Sequence, residues 1–218
     1  TSYMIGEPEA GSDSPSLWAA RGTLKGLEVT LKKVFGNATF AGRSFAIQGL
    51  GKTGMELARL IMERGGSVTA SEIDPEKIAI AKQSLRSVKI VEPRKIAAQE
   101  VDVFCPCSMG HEINKQTIKQ LKCKIVAGVA NNQLENSKIG DALYKKEILY
   151  APDYAINAGG LMRVLAELDK GGYKRDRVLE QLEHIPKTLE KIFERSEKEK
   201  TPTHRVAAEM AEAAIKKA

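Results

Sequence analysis

The chain has 218 residues, 42% of them hydrophobic but only 5% aromatic, and a net charge of +6. That length allows one large domain or one domain with an appendage, and an aliphatic interior suits an α/β core better than a β-sandwich. Lys and Arg are spread through helical segments, which argues for solvated faces rather than a nucleic-acid site, and no apolar run of about 18 residues is present to span a membrane.

Cys105, Cys107 and Cys123 form an odd set without a C-x-x-C spacing. Neither a disulfide framework nor a zinc site is expected, and reduced thiols point to the cytoplasm. No signal peptide is recognised, and a chain that opens on Thr1 reads as a processed or truncated product.

Residues 1–15 are rich in Gly, Ser and Pro and read as an interdomain linker. Ser14-Pro15 is a cap followed by a first-turn proline, and it starts a helix expected over 16–35. Leu17, Leu24, Leu27, Leu31 and Val34 give that helix its apolar spacing, Gly36-Asn37 ends it, and it is expected to cover the domain from outside. A strand follows at 44–48, then Gly49-Leu50-Gly51-Lys52-Thr53-Gly54, a helix over 55–64 closed by Gly65-Gly66, and a second strand at 67–71 ending in Glu72-Ile73-Asp74.

The order strand, G-x-G-x-x-G, helix, strand, acid suits a dinucleotide. Gly49 permits the tight turn, Gly51 lets the pyrophosphate approach the backbone, and Gly54 lets the helix pack closely. The helix start offers unpaired N–H groups to phosphates. Glu72, 23 residues after Gly49, can accept hydrogen bonds from ribose hydroxyls and repels a 2′-phosphate, which favours NAD over NADP. Arg64 and Lys77 are the cations within reach of such a phosphate. No glycine stands at position 46, so this is not a phosphate loop of the NTPase type.

Helices are expected at 75–85, with Ile78, Ala79 and Ala81 inward, and at 93–99, 113–121 and 134–146, with strands at 88–91, 101–105, 124–127 and 148–151. Strands alternating with helices define an α/β fold: a doubly wound, mostly parallel sheet of the Rossmann kind with a helical N-terminal lead-in and a C-terminal helical extension. Four small or polar loops leave the carboxyl ends of its strands, at 49–54, 105–110, 128–133 and 152–160, where ligands of such sheets bind. From Leu161 on the chain reads as packing helices. Val178, Leu182, Ile185, Leu189 and Ile192 form one stripe, Pro186 should split it, and Pro202 should precede the last helix. The domain scheme is a linker at 1–15, a dinucleotide-binding unit at 16–160 and helices packed on it at 161–218.

The fingerprint, Val103-Phe104-Cys105-Pro106-Cys107, the block from Ala127 to Leu134 containing Asn131-Asn132-Gln133, and Pro152-Asp153-Tyr154-Ala155-Ile156-Asn157-Ala158-Gly159-Gly160 resemble the Glu/Leu/Phe/Val dehydrogenases, most closely the leucine dehydrogenase branch. The resemblance covers nearly the whole chain and implies the NAD-binding C-terminal domain of a two-domain enzyme. Such an enzyme deaminates an L-amino acid, branched-chain or apolar, reversibly to a 2-oxo acid and ammonia, and is a homo-oligomer when full length. The catalytic lysine and aspartate of the family belong to the other domain, and nothing in this chain matches them.

By the same resemblance Gly49, Gly51 and Gly54 hold the pyrophosphate, with Lys52, Thr53 and Ile73 among the cofactor contacts. Glu72 takes the adenosine ribose, where most relatives have aspartate. Cys107, Ala130 and Asn131 approach the cofactor from neighbouring loops. Asn157 faces the nicotinamide and the substrate, and Thr1 and Leu182 fall on the substrate side. An alternative role for Asn157 is to cap a helix starting near Ala158. Two departures stand out: no threonine follows Ser14-Pro15 where relatives carry Ser-Pro-x-Thr, and Pro186 falls where they keep an unbroken helix. A different reading of the whole chain is a non-catalytic dinucleotide-binding or regulatory module.

Overall fold

A computed structural model describes residues 14–168 and 172–217. Six strands, β1 (Ser44–Gln48), β2 (Ser67–Ser71), β3 (Lys89–Ile90), β4 (Val103–Pro106), β5 (Ile125–Val126) and β6 (Leu149–Tyr150), form one sheet in the order β3-β2-β1-β4-β5-β6. Every pairing is parallel, with Phe45 of β1 level with Val68 on one side and Val103 on the other. The strand order reverses between β1 and β4, so the crevice of a doubly wound sheet opens at their carboxyl ends.

Both faces of the sheet are covered, which is why its central strands are apolar on both sides. Phe45, Ile47, Val103 and Ile125 face one core, and Ala46, Phe104 and Val126 face the other. The first core is built with α1 (Pro15–Phe35), α2 (Lys52–Glu63) and α3 (Pro75–Ser84). The second takes Ile118 from α4 (Thr117–Gln120) and Ile139 and Leu143 from α5 (Ser137–Lys145). After β6 come α6 (Asp153–Ile156), α7 (Gly159–Leu165), α8 (Arg175–Leu182), α9 (His184–Glu199) and α10 (Thr203–Ile215). Thr203 Oγ1 donates to the Tyr150 carbonyl at 2.7 Å and so ties α10 to the edge strand.

Local chemistry sets the ends of these elements. Ser14 Oγ accepts from Leu17 N at the start of α1, and Gly36 closes it in a left-handed conformation. The stripe of the last third is divided between α8 and α9 at Glu183, which leaves Pro186 in the first turn of α9, where its missing N–H costs nothing.

Several expectations are corrected. The helix α1 covers the sheet but is itself covered: it lies between α2 and the pair α7 and α9, with Trp18, Leu27 and Leu31 fully buried. A Cβ on its Gly26 would press into Ile156 and Leu189, so the small residue sets how closely the layers approach. The helix α2 starts at Lys52, inside the fingerprint, and Ala79 of α3 is exposed. The helix expected at 113–121 shrinks to α4 because Ile113 is drawn into a bridge with Leu134, while Asn114 Oδ1 accepts the N–H groups of Gln116 and Thr117.

Candidate functional site

The crevice is built first by the turn between β1 and α2. Gly49 has φ +100°, and its N–H donates to the Ser71 carbonyl at 2.9 Å. A Cβ there would meet the Cys107 carbonyl oxygen at 2.9 Å, so both conformation and space demand glycine. A Cβ on Gly54 would overlap the Gly49 carbonyl oxygen, so glycine lets the first turn of α2 close onto the strand end. Gly51 differs: a Cβ on it would meet nothing within 4 Å. Its openness lies on the cavity side, where the first helical bond is Met55 N to Gly51 O. The N–H groups of Lys52, Thr53 and Gly54 therefore stand outside the helical ladder, at the positive end of a 12-residue helix.

Glu72 closes this cavity at the end of β2. Its Oε2 accepts from Leu50 N at 2.7 Å, and its Oε1 from Ile73 N at 2.7 Å and Asp74 N at 3.2 Å. Burial raises this carboxyl, but the three N–H donors and nearby Lys77 outweigh it and hold Glu72 below the ordinary carboxylate value. Lys77 pairs with Asp74 at 3.3 Å on the cavity rim. Arg64 lies at the far end of α2, paired with Glu28 and set over the Phe40 ring, away from the cavity.

The cavity measures ≈ 700 Å³ and is also walled by Cys107, Ser108 and Met109 after β4 and by Val129, Ala130 and Asn131 after β5. Burial pushes the Cys107 thiol up to about 12, so it meets the cavity as a neutral group rather than a nucleophile. The two loops brace each other: His111 N donates to Asn132 O at 2.7 Å, and Ala130 N to Pro106 O at 3.0 Å. Fully buried Gln133 fastens the second loop from inside, its Nε2 donating to the carbonyls of Gly128 and Ala130.

A second cavity of ≈ 440 Å³ adjoins the first and shares Thr53, Val129 and Asn131 with it. Ser16, Tyr154, Asn157 and Leu161 are among its walls. The Asn157 amide donates to Val129 O at 3.2 Å and Asn131 Oδ1 at 2.7 Å. It is not the N-cap of the following helix: Ala158 occupies that position of α7, without a side-chain bond, and Asn157 is instead the C-cap of α6.

The fold thus gathers the residues singled out for a cofactor. Gly49, Gly51, Lys52, Thr53, Glu72, Ile73, Cys107, Ala130 and Asn131 line the first cavity, Gly54 supports it from behind, and Asn157 lies in the second. Thr1 lies outside the described residues. Leu182 is fully buried in the core against Gly159 and presents no surface to a substrate. Sequence reasoning missed Met109, which is 99% exposed on the rim of the first cavity, and Leu161, 61% exposed in the second. A signal for Leu161 existed, since it follows Asn157 by four residues, but Leu161 was read as packing.

A dinucleotide fits these residues. Gly51 leaves room for a phosphate against unpaired N–H groups, and a carboxylate stands in the same cavity at the end of β2, where it could accept from hydroxyls. Among the described residues no helix is long and apolar enough to cross a membrane.

Comparisons with known proteins agree with this geometry. The chain is 39% identical to the leucine dehydrogenase of Geobacillus stearothermophilus over 99% of its own length and 58% of that protein's. It is 40% identical to the phenylalanine dehydrogenase of Bacillus thermotolerans, again over 99% of this chain and 58% of the relative. The crystal structure of L-tryptophan dehydrogenase from Nostoc punctiforme superposes with a TM-score of 0.88 at 36% identity, covering 94% of this chain and 61% of that one. The chain therefore spans about three-fifths of the length of these relatives. Residues 73–218 match the family model of Glutamate/Leucine/Phenylalanine/Valine dehydrogenase, and the chain belongs to that family.

Proposed function

We propose that this chain is the NAD-binding part of an amino-acid dehydrogenase that interconverts an L-amino acid, branched-chain or apolar, with its 2-oxo acid and ammonia. The observation that carries the reading is one continuous crevice. At one end the open Gly51 and the free N–H groups of α2 face the same cavity as Glu72, and at the other Asn157 and Leu161 line the adjoining space.

In this reading the backbone of residues 49–54 holds the pyrophosphate and Glu72 the adenosine ribose. Ile73 and Met109, both exposed on the rim, flank the base. The nicotinamide, when bound, supplies the hydride acceptor. Asn157 and Asn131 orient polar groups where the two cavities meet, and Leu161 offers an apolar wall, which suits an apolar amino-acid side chain. Groups that move protons come from the part of the longer relatives that this chain does not span, since among the described residues no lysine lines the second cavity.

Calorimetric titration with NAD and NADP tests the cofactor reading. The carboxylate of Glu72 is expected to favour NAD by at least about tenfold, a difference of roughly 1.4 kcal/mol. Equal affinities, or tighter NADP through Lys77, overturn it. The catalytic reading is tested by assaying the full-length gene product against a panel of amino acids with NAD. Failure of every amino acid to drive NADH formation would leave a non-catalytic dinucleotide-binding module.

A further inference from the structure

The loop after β4 carries a side chain that the reading above does not use. Glu112 is 6% exposed, and its Oε1 accepts three hydrogen bonds: from Ser108 N at 3.0 Å, Ser108 Oγ at 2.7 Å and Gly110 N at 3.0 Å. Its other oxygen, Oε2, is buried without a partner. A carboxylate this deep loses its hydration, and the bonds from Ser108 and Gly110 are what compensate it, so its interaction is spent on holding that turn.

The three bonds close the turn that forms one wall of the first cavity. The ends of the turn are anchored elsewhere. Cys107 N donates to Gln48 O at 2.9 Å, His111 N to Asn132 O at 2.7 Å, and Thr117 Oγ1 holds the Glu112 carbonyl at 2.6 Å. Between those anchors Ser108 and Gly110 are tied back by the Glu112 carboxylate, and Met109 is left at the tip, 99% exposed. The backbone there turns left-handed, with φ +96° at Gly110, which glycine adopts freely, and +57° at the non-glycine His111. A carboxylate that gathers N–H groups holds such a turn in one arrangement. Ile73, 84% exposed, lines the same cavity, so Met109 and Ile73 are two exposed apolar side chains at its rim.

We propose that Glu112 is a positioning residue for the adenine half of the dinucleotide, fixing the Ser108–Gly110 turn so that Met109 stands with Ile73 at the rim of the cavity. The inference rests on the cofactor reading of the crevice. Glu112 acts on the base side only, because the second cavity, with Asn157, is walled by other residues.

The test is an NMR titration of the 218-residue chain and its variants with two half-ligands, ADP and nicotinamide mononucleotide. Glu112→Ala frees the turn. If the turn then holds its bound arrangement about a tenth of the time, the ADP dissociation constant rises about tenfold while that of nicotinamide mononucleotide is unchanged. Glu112→Gln keeps a carbonyl oxygen for the same N–H groups and restores ADP affinity to within about threefold. Ser108→Ala, which removes only the Oγ bond, gives a smaller loss of the same sign and covers the case in which the alanine variant at 112 does not fold. Unchanged ADP affinity, equal losses for both half-ligands, or no rescue by glutamine overturns the proposal. If the unaltered chain binds neither half-ligand, the cofactor reading itself fails.

Discussion

Asn157 shows how one amide can hold two loops at a ligand site. Its Nδ2 reaches a carbonyl oxygen at Val129 and the side-chain oxygen of Asn131. Aspartate is isosteric but has no donor, and at neutral pH it would set a negative charge among those oxygens. Asn157→Asp is therefore expected to cost about 1–3 kcal/mol, the range for leaving partly buried acceptors unpaired. The new carboxyl would have its pKa raised by its surroundings, so the loss should shrink as pH falls and the group protonates. Thermal melts at neutral and acid pH check this, and a variant as stable as the parent at neutral pH would show that the amide holds nothing. Glu72 behaves in the opposite sense. Its carboxyl sits below the ordinary carboxylate range in the fold, so its stabilisation is fully present above that range and is lost as pH falls through the lower folded value. Glu72→Gln should melt with a shallower dependence on acidification through and below the ordinary carboxylate range. Identical slopes for parent and variant would mean that the N–H bonds at Leu50, Ile73 and Asp74 contribute nothing to the titration.

Among the elements, α1 does the most to decide how the layers meet. Its last turn carries Lys32 and Lys33, which suit the negative end of a helix, and its buried face includes Gly22 and Gly26. In an exposed helix, glycine to alanine gains about 1 kcal/mol of propensity. At Gly26 the added Cβ would meet Ile156 Cδ1 at 2.9 Å and Leu189 Cδ1 at 3.0 Å, and press still closer on Ile156 Cγ1. Ile156 and Leu189 are fully buried and have little room to give way. Overpacking of this kind costs about 1–3 kcal/mol, so Gly26→Ala should be destabilising by about 1 kcal/mol net. The check is the denaturant midpoint of the variant; a rise in that midpoint would mean that the contact relaxes freely. Ile156 directly precedes Asn157, so a shift at Gly26 would also be felt at the crevice.

For the whole molecule, binding at the crevice and chemistry at the crevice separate. NAD at a hundred times its dissociation constant should raise the stability of the 218-residue chain by about 2.7 kcal/mol, or about 5–10 °C in melting temperature. The same preparation should form no NADH when an amino acid is added, because among the described residues no lysine lines the second cavity. Amino-acid-dependent NADH formation by this chain would refute that division of labour.

Much of this protein could be read from its residues in order. The strands 44–48 and 67–71 appear as expected, because alternating apolar β-formers bounded by glycine specify a strand locally. The Gly49–Gly54 fingerprint and Glu72 meet in one cavity because that chemistry is confined to a single βαβ unit about 30 residues long. Ser14, Gly36, Pro186 and Pro202 mark element ends because capping and ring geometry act within a turn. Other features depended on partners distant in sequence. Ile113 leaves a helical pattern to pair with Leu134, and the spacing of 113–121 holds no sign of that partner. For Asn157 a helix cap stays open as the alternative role until Val129 and Asn131 are seen to lie within reach of its amide. Leu161 and Leu182 are the same residue type on helical stripes. One is 61% exposed at the cavity and the other fully buried, because only the packing of α7 on α1 and of α8 on α7 and α9 decides which face is covered. Local physics determined the elements and the cofactor turn, and the docking of helices across long sequence separations decided which side chains stand at the site.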